Sequence, residues 1–591
     1  MINDKRISAI IKLSTQAFSP YKWHIIGLIV LSFIAGIFEG IGVNALIPLF
    51  SFALGGSEGG TDIISRTIER FFNYFGAAFN VTHLLIFISL LFIFKAIFSL
   101  IVIYIKTKIN NDYGEQTRTR LFQSILKSNW PHLLRQRLGH LETILMVDVP
   151  ASQSLLEQIS VDIMTAVSLF VYIVVAINIS ATTTLIALVI GAIFFLLLKP
   201  TIYRIKILSY ERTLINQKTA HHIGENILGM KTVKAMVIER AVGEKGIRLF
   251  QELKHITIKV SLLKSITSQL ILPVSVIFIC VVFVFSYHSP SFNLAVLAAV
   301  VYLVEKIFTY IQQLEKGLQN INECVPNLRN VLDYEKKALA EQEQDVGQTD
   351  LSYNKNLKFE NVGFFYETGR PVLKNLNFVL NKGESVGFIG SSGVGKTTLV
   401  DLILRLLTPT SGNILIDGKN ITNFSLSSWR KKIGYIAQDM FLINDTIENN
   451  IRFYNQNLSA NDIIQAARLA NIDDFINQCP HKMKTIVGER GIMLSVGQRQ
   501  RLVIARILAV QPEILILDEA TSALDNESEL KIQKVIKNLK GKITVLIIAH
   551  RLSTVINLDN VIVLDNGMIA EQGAPRELLK NKNSYFHKVY T

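Results

Sequence analysis

Apolar residues along this chain gather into six runs, each long enough to cross about 30 Å of hydrocarbon, a distance that takes about 20 residues of helix. They are Trp23–Leu54, Leu84–Ile105, Leu155–Ile179, Thr182–Leu198, Ile266–Tyr287 and Leu294–Ile311. A buried helix of a soluble core would account for one of them. It does not account for six within the first half of the chain, several without a charge. The pattern therefore predicts an α-helical polytopic membrane domain of six transmembrane helices. The two long polar links, 106–154 and 199–265, hold few Gly or Pro and carry apolar residues at helical spacing, among them Leu121, Ile125, Leu133 and Leu141. Helices should thus continue past the spans into the aqueous phase. Residues 335–356 are polar and read as a linker. Beyond them, β-branched runs such as Ile514–Leu517 and Val545–Ile548 alternate with helical stretches, the pattern of an α/β domain. The expected order is a membrane domain at 1–334, a linker at 335–356 and an α/β domain at 357–591.

Composition supports that division. The chain is 49% hydrophobic and only 18% charged, where soluble proteins carry about a quarter charged residues. Lys plus Arg outnumber Asp plus Glu by 61 to 47. Segments 1–22, 106–154 and 199–265 hold 4, 7 and 13 of these cations, whereas 55–83 holds two, Arg66 and Arg70. Positive charge on one side of a membrane places both termini and both long links in the cytoplasm. It also explains the basic excess without nucleic acid as a partner. Cys280, Cys324 and Cys479 form no CxxC pair, which argues against a disulfide framework and a Cys-based metal site. The first 22 residues lack the apolar run and cleavage site of a removable signal peptide.

The α/β part carries the chemistry. Gly390-Ser391-Ser392-Gly393-Val394-Gly395-Lys396-Thr397 follows the apolar run Ser385–Ile389 and opens the helical stretch beginning at Thr398. This is a P-loop in its required context, a strand before and a helix after. Its backbone N–H groups would wrap phosphates, Lys396 would neutralise them, and the Thr397 hydroxyl would join Mg²⁺. Downstream, Ile514–Leu517 ends in Asp518-Glu519. A buried strand that delivers two carboxylates at its carboxyl end suits a Walker B element, Asp518 on the metal shell and Glu519 on the attacking water.

Between them lies Leu494-Ser495-Val496-Gly497-Gln498. With this element in this order, and six spans before it, the whole chain resembles the ATP-binding cassette transporters. The resemblance implies ATP and Mg²⁺ as cofactors, with Ser495, Gly497 and Gln498 as the signature that meets the ATP of an opposite subunit. The usual signature has Gly where Val496 stands. Tyr366 matches the aromatic that stacks on adenine, and Gln438 the glutamine that touches Mg²⁺ and water. Ser522-Ala-Leu-Asp525 matches the D-loop, His550 the switch histidine, and Glu489 the X-loop of exporters. A single cassette lacks the signature that closes its own site, so the resemblance implies a half-transporter that dimerises. Glu519 and His550 are both present, which favours two identical copies. Fusion of the spans to the cassette looks like the exporter class, embedded in a bacterial inner membrane, with short coupling helices near Asn129–Arg137 and Glu225–Lys234. An ATP-regulated channel would be expected to carry degenerate catalytic residues, a DNA-repair or translation ATPase to lack spans, and an importer to encode its cassette separately.

Within the spans, Glu39, Lys95 and Glu305 fall at similar depth, about mid-membrane. Such charges either line a substrate path or pair to fix helix register. Outside the membrane, Ile63, Ile64, Thr67, Ile68, Phe71, Phe72 and Phe75 share one helical face, with Arg66, Glu69, Arg70 and Asn73 mostly off it. That predicts an amphipathic helix at the outer surface. Together with Phe38–Leu49 it is similar to flippases of lipid-linked oligosaccharides, in which an external helix engages a polyprenyl tail. The implied substrate is amphipathic: a lipid-linked oligosaccharide or glycolipid, with lipid A-like lipids, hydrophobic drugs and peptides as alternatives. The alternative for the helix is plain packing on the span ends.

Overall fold

The computed structural model describes residues 14–53, 63–74, 76, 78–136, 138–287, 294–366, 369–519, 526–549 and 551–590. They fall into two compact units, Met1–Ser128 with His132–Gln342, and Asn129–Pro131 with Glu343–Thr591.

The first unit is helical: α1 (Lys22–Asn44), α2 (Leu46–Ala53), α3 (Ile63–Tyr74), α4 (Val81–Leu126), α5 (Val149–Leu228), α6 (Glu239–Tyr287) and α7 (Leu294–Ala340). Five helices among the described residues are long and apolar enough to cross a membrane. Five suffice for six runs because the third and fourth lie on α5 either side of Ser180, whose φ of −151° and ψ of 92° break the helix, while the first run divides between α1 and the shorter α2. The link is too short for a loop, and side chains close it. Ser180 Oγ meets Thr183 Oγ1 at 2.9 Å, and Thr184 Oγ1 donates to the Ser180 carbonyl at 2.8 Å.

Helices α4, α5 and α6 do run on past their spans, as the apolar spacing predicts. On α4 the buried face continues through Ile109, Tyr113, Thr117, Leu121 and Ser124 at intervals of three or four. Phe18, Tyr21, Val102, Leu155, Leu156, Val325 and Leu328 share a core with that face, while Ile86, Ile93, Ile97 and Leu100 point outward. Two short helices, Trp130–Arg135 and Met230–Ala235, occupy the places expected of coupling helices.

The polar stretch 335–356 divides differently from a simple linker. Helix α7 extends to Ala340, because Val331, Tyr334 and Ala338 bury one face of it. The remainder is fastened down: Arg430 forks onto Glu343 at 2.8 and 2.5 Å, and the Leu426 N–H donates to Asp345 at 2.9 Å. Three successive N–H groups, of Asn354, Lys355 and Asn356, converge on the Asp417 carboxylate. Such a polar sequence hides its order, since the contacts are hydrogen bonds rather than apolar burial.

The second unit holds two sheets. The smaller runs in the order β2 (Pro371–Asn381), β1 (Asn356–Phe365), β4 (Ser411–Ile416), β5 (Lys419–Asn420), all antiparallel. In the larger, β3 (Ser385–Gly390), β6 (Ile433–Ile436), β7 (Ile514–Asp518), β8 (Thr544–Ile548) and β9 (Asn560–Asp565) are parallel, with β10 (Met568–Gly573) antiparallel at the edge. The order is β10-β9-β3-β8-β7-β6. Strands β3, β7 and β8 are buried throughout, which is why they read as unbroken apolar runs.

Candidate functional site

The parallel strands deliver their carboxyl ends to one edge, where ligands bind in such sheets. Strand β3 ends at Gly390, and the loop Ser391–Gly395 leads into α8 (Lys396–Ile403). Gly395 has a φ of 109°, and a Cβ there would meet Leu373 at 2.6 Å, so glycine is required on both counts. Lys396 is 6% exposed. Its ammonium donates to the carbonyls of Gly390 at 2.9 Å and Ser391 at 3.0 Å, inside its own loop. Burial pushes its amine below the ordinary range, while the carboxylates of Glu519 and Asp518 pull it upward. Thr397 is exposed on the first turn. Thr398 is buried and bonds the Tyr366 hydroxyl at 3.2 Å, so the aromatic ring is fixed beside the loop.

Register puts Asp518 opposite Ile548, which in turn faces Phe388 of β3. Asp518 is 6% exposed and accepts the Tyr435 hydroxyl at 3.4 Å. Glu519 follows with a φ of 48°, its N–H bonded to the Ile548 carbonyl at 3.1 Å. A left-handed turn at a non-glycine residue redirects the chain just where the second carboxylate emerges. Gln438 lies exposed on the loop after β6, whose Ile436 pairs with Leu517. The structure thus brings the P-loop, Asp518, Glu519, Gln438 and Tyr366 to one sheet edge.

Two further groups at this edge carry no local motif. Tyr435 projects from β6 onto Asp518; burial and that carboxylate raise its phenol above the usual range. Asp401 on α8 is pushed up to about 6, by burial and then by Asp518. A helix position five residues beyond the lysine is the signal that finds Asp401, once the fold is known to bring Asp518 within electrostatic reach of α8. Nothing in the sequence marks Tyr435.

The signature forms a separate element. Ser495 caps α9 (Val496–Ala509): its Oγ accepts the Gln498 N–H at 3.3 Å and its own N–H donates to Gln498 Oε1 at 2.9 Å, a capping box. Val496 sits at the first helical position, partly buried against the hydrophobic core. Its departure from the usual glycine therefore leaves the cap and buried Gly497 in place. Glu489 accepts from Asn444 Nδ2 at 3.2 Å. His550 and Ser522–Asp525 lie outside the described residues.

In the helical unit, Glu39 and Lys95 form an ion pair at 2.7 Å, and the Tyr172 hydroxyl donates to Glu39 at 2.9 Å. Tyr172 is fully buried on α5, a partner that sequence position alone does not disclose. Glu305 does not join them in any described contact; it accepts from Thr309 one turn along its own helix at 2.9 Å. Helix α3 is amphipathic as expected, and two residues of its apolar face, Ile68 and Phe72, point inward. Ile68 (5% exposed) and Phe72 pack with Ala45, Leu84 and Ile88. Phe71 and Tyr74 are 46% and 86% exposed.

These features agree with comparisons to known proteins. Residues 25–289 match the family described as ABC transporter transmembrane region, and residues 373–522 the one described as ABC transporter. The chain is 36% identical over 375 residues to the ATP-dependent lipid A-core flippase of Syntrophus aciditrophicus, 61% of each chain. It is 47% identical over 232 residues, 39% of this chain and 40% of the other, to a Staphylococcus aureus ATP-binding/permease protein provisionally named for multidrug export. The alignments therefore span less than two thirds of either relative. A solved bacterial Atm1-family ABC exporter with ATP bound shares the fold at a TM-score of 0.79 and 23% identity, covering 96% of this chain and 98% of that one. With a transmembrane region and an ATP-binding region each matched in sequence, and fused in that order, the chain belongs to the ABC transporter family.

Proposed function

We propose that the chain is one half of an ATP-driven exporter or flippase for amphipathic substrates, working as a dimer of two copies in a bacterial inner membrane. One observation carries the reading: P-loop, Asp518, Glu519 and Gln438 converge on one sheet edge, while Ser495 and Gln498 bond each other in a separate helix cap with Gly497 buried between them. A second copy supplies the missing wall. In this reading Gly390–Thr398 hold the phosphates by backbone N–H groups and Lys396 leaves its loop carbonyls for them, with Tyr366 beneath the adenine. Thr397, Asp518 and Gln438 offer only oxygen donors, a set that fits Mg²⁺. When bound, Mg²⁺ neutralises phosphate charge. Glu519 takes a proton from the attacking water, and His550 steadies the γ-phosphate. The nucleotide-binding unit and both termini face the cytoplasm, and the transport cycle follows from ATP joining two cassettes and hydrolysis releasing them.

For the substrate we favour a lipid-linked oligosaccharide or glycolipid, since α3 presents apolar surface of Phe71, whose ring also packs on Phe72 and Phe87, and of Tyr74. Lipid A-like lipids, hydrophobic drugs and peptides are the rivals. Because Ile68 is packed inward, tail contact would fall on Phe71 and Tyr74 instead. Reconstituted protein tests both levels. Glu519→Gln should bind ATP yet lose ATP hydrolysis by about 10²–10³-fold, and near-normal turnover would refute the assignment. Phe71→Ser with Tyr74→Ser should stop flipping of a polyprenyl-linked sugar while ATP hydrolysis continues; unchanged flipping reduces α3 to a packing element.

A further inference from the structure

Helices α1 and α5 leave a groove of about 210 Å³ lined by Phe33, Ile37, Gly40, Ile41, Phe170 and Val174, with Asn44 at one end. Its walls are almost wholly apolar. The groove exists because Gly40 carries no side chain: a Cβ there would stand 3.1 Å from Val171 and 3.2 Å from Val175. Asn44 is 6% exposed, and its Oδ1 has no hydrogen-bond partner among the described residues. An amide left unpaired in hydrocarbon costs a few kcal/mol by transfer scales. Asparagine's last torsion is soft and roughly two-fold, so a small turn presents that oxygen to the groove.

Depth identifies the occupant. From Phe33 to Asn44 the groove runs about 16 Å along α1, and Asn44 sits about 7–8 Å outward of Glu39, near the bilayer middle. The ester groups of resting bilayer lipids lie at the hydrocarbon boundary, so their hydrogen-bonding groups do not reach Asn44. A molecule that places a donor beside an apolar chain at this depth is one in passage between the leaflets.

We propose that this groove holds the transported amphiphile, its chain against Ile37, Ile41 and Phe170, and a hydroxyl or amide N–H on Asn44 Oδ1. The inference rests on the exporter reading above and names a subsite for it. Full-length protein in phosphatidylcholine proteoliposomes, labelled with a diazirine-bearing hexadecanamide, tests it. The peptides spanning Phe33–Asn44 and Phe170–Val175 should be labelled. Hexadecanamide should compete for labelling about tenfold better than hexadecane, a gap of one hydrogen bond. Asn44→Leu keeps the shape and should abolish that preference; Ile37→Trp, which fills the groove from its open side, should cut labelling itself at least tenfold. Equal competition by amide and alkane in the unaltered protein, or a preference that survives Asn44→Leu, overturns the proposal. So does a disulfide forming between copies through Val174→Cys, because a second copy would then cover the face. ATP-driven transport is scored separately: if it proceeds while labelling fails, only the groove falls, and if labelling holds while transport is absent, only the exporter reading falls.

Discussion

Replacing Lys95 with methionine should destabilise the helical unit more than replacing Glu39 with glutamine, although both remove the same ion pair. At 2.7 Å the attraction is about 6 kcal/mol with an effective dielectric of about 20. Desolvation of the two ions offsets most of it, so the pair as a whole is worth little against an apolar replacement. The asymmetry comes from exposure. Glu39 retains 11% of its side-chain surface and Lys95 30%. Lys95→Met strands a buried carboxylate with only the Tyr172 hydroxyl, a loss of about 3 kcal/mol. Glu39→Gln leaves an ammonium that can turn toward the Phe92 ring, already 5.7 Å away, at about 1 kcal/mol. The double variant should lose no more than about 1–2 kcal/mol, giving a coupling of about 2–3 kcal/mol. Equilibrium unfolding in mixed micelles with rising detergent denaturant measures all four proteins. Singles that add within about 0.5 kcal/mol would refute the argument, as would a greater loss for Glu39→Gln. A double variant that keeps any transport the unaltered protein shows would confine the pair to fixing helix register.

Three further outcomes are expected. Lys396→Ala should weaken ATP binding at least tenfold by loss of the phosphate partner, read by equilibrium dialysis; unaltered affinity would remove the lysine from the site. Asp401, with its carboxyl raised from 3.8 to about 6, folds more readily when protonated, so its contribution is complete below about pH 4 and lost as pH rises through about 6. Asp401→Asn should therefore raise stability by about 1–3 kcal/mol at pH 7.5 and by about a third as much at pH 4.5, and an equal gain at both pH values in thermal melts would contradict the shift. Ser495→Ala should cost about 1 kcal/mol through the lost helix cap, whereas Val496→Gly should lower the melting temperature slightly while ATP hydrolysis persists; a stable Ser495→Ala protein would mean the cap is redundant.

The sequence makes the spans legible because lipid-facing helices must be apolar over a fixed length, and the P-loop because its glycines, lysine and flanking elements are contiguous. Junctions are less legible. Residues 335–340 are helical rather than linker, yet Ala338 is the residue there that joins the buried Val331 and Tyr334 of α7, too little apolar signal to stand out in a polar stretch. Amphipathic α3 shows the complementary limit: periodicity reveals that it has an apolar face, but whether Ile68 meets lipid or Leu84 depends on a neighbour far along the chain. Tyr172, Tyr435 and Asp401 gain their surroundings only from tertiary packing, so no spacing rule finds all three.

Helix α5 has a mechanical consequence. After its second span it continues from Leu198 to Leu228, with Pro200 near the start of the extension, about 45 Å of helix beyond the hydrocarbon. A rod of that length is a lever: tilting it by about five degrees at the bilayer boundary moves its far end by about 4 Å, more than the length of a hydrogen bond. Motions in the membrane too small to open a gap between side chains thus become displacements at the cytoplasmic tip large enough to make or break contacts, and a push on the tip returns upward with the same ratio as gain in force.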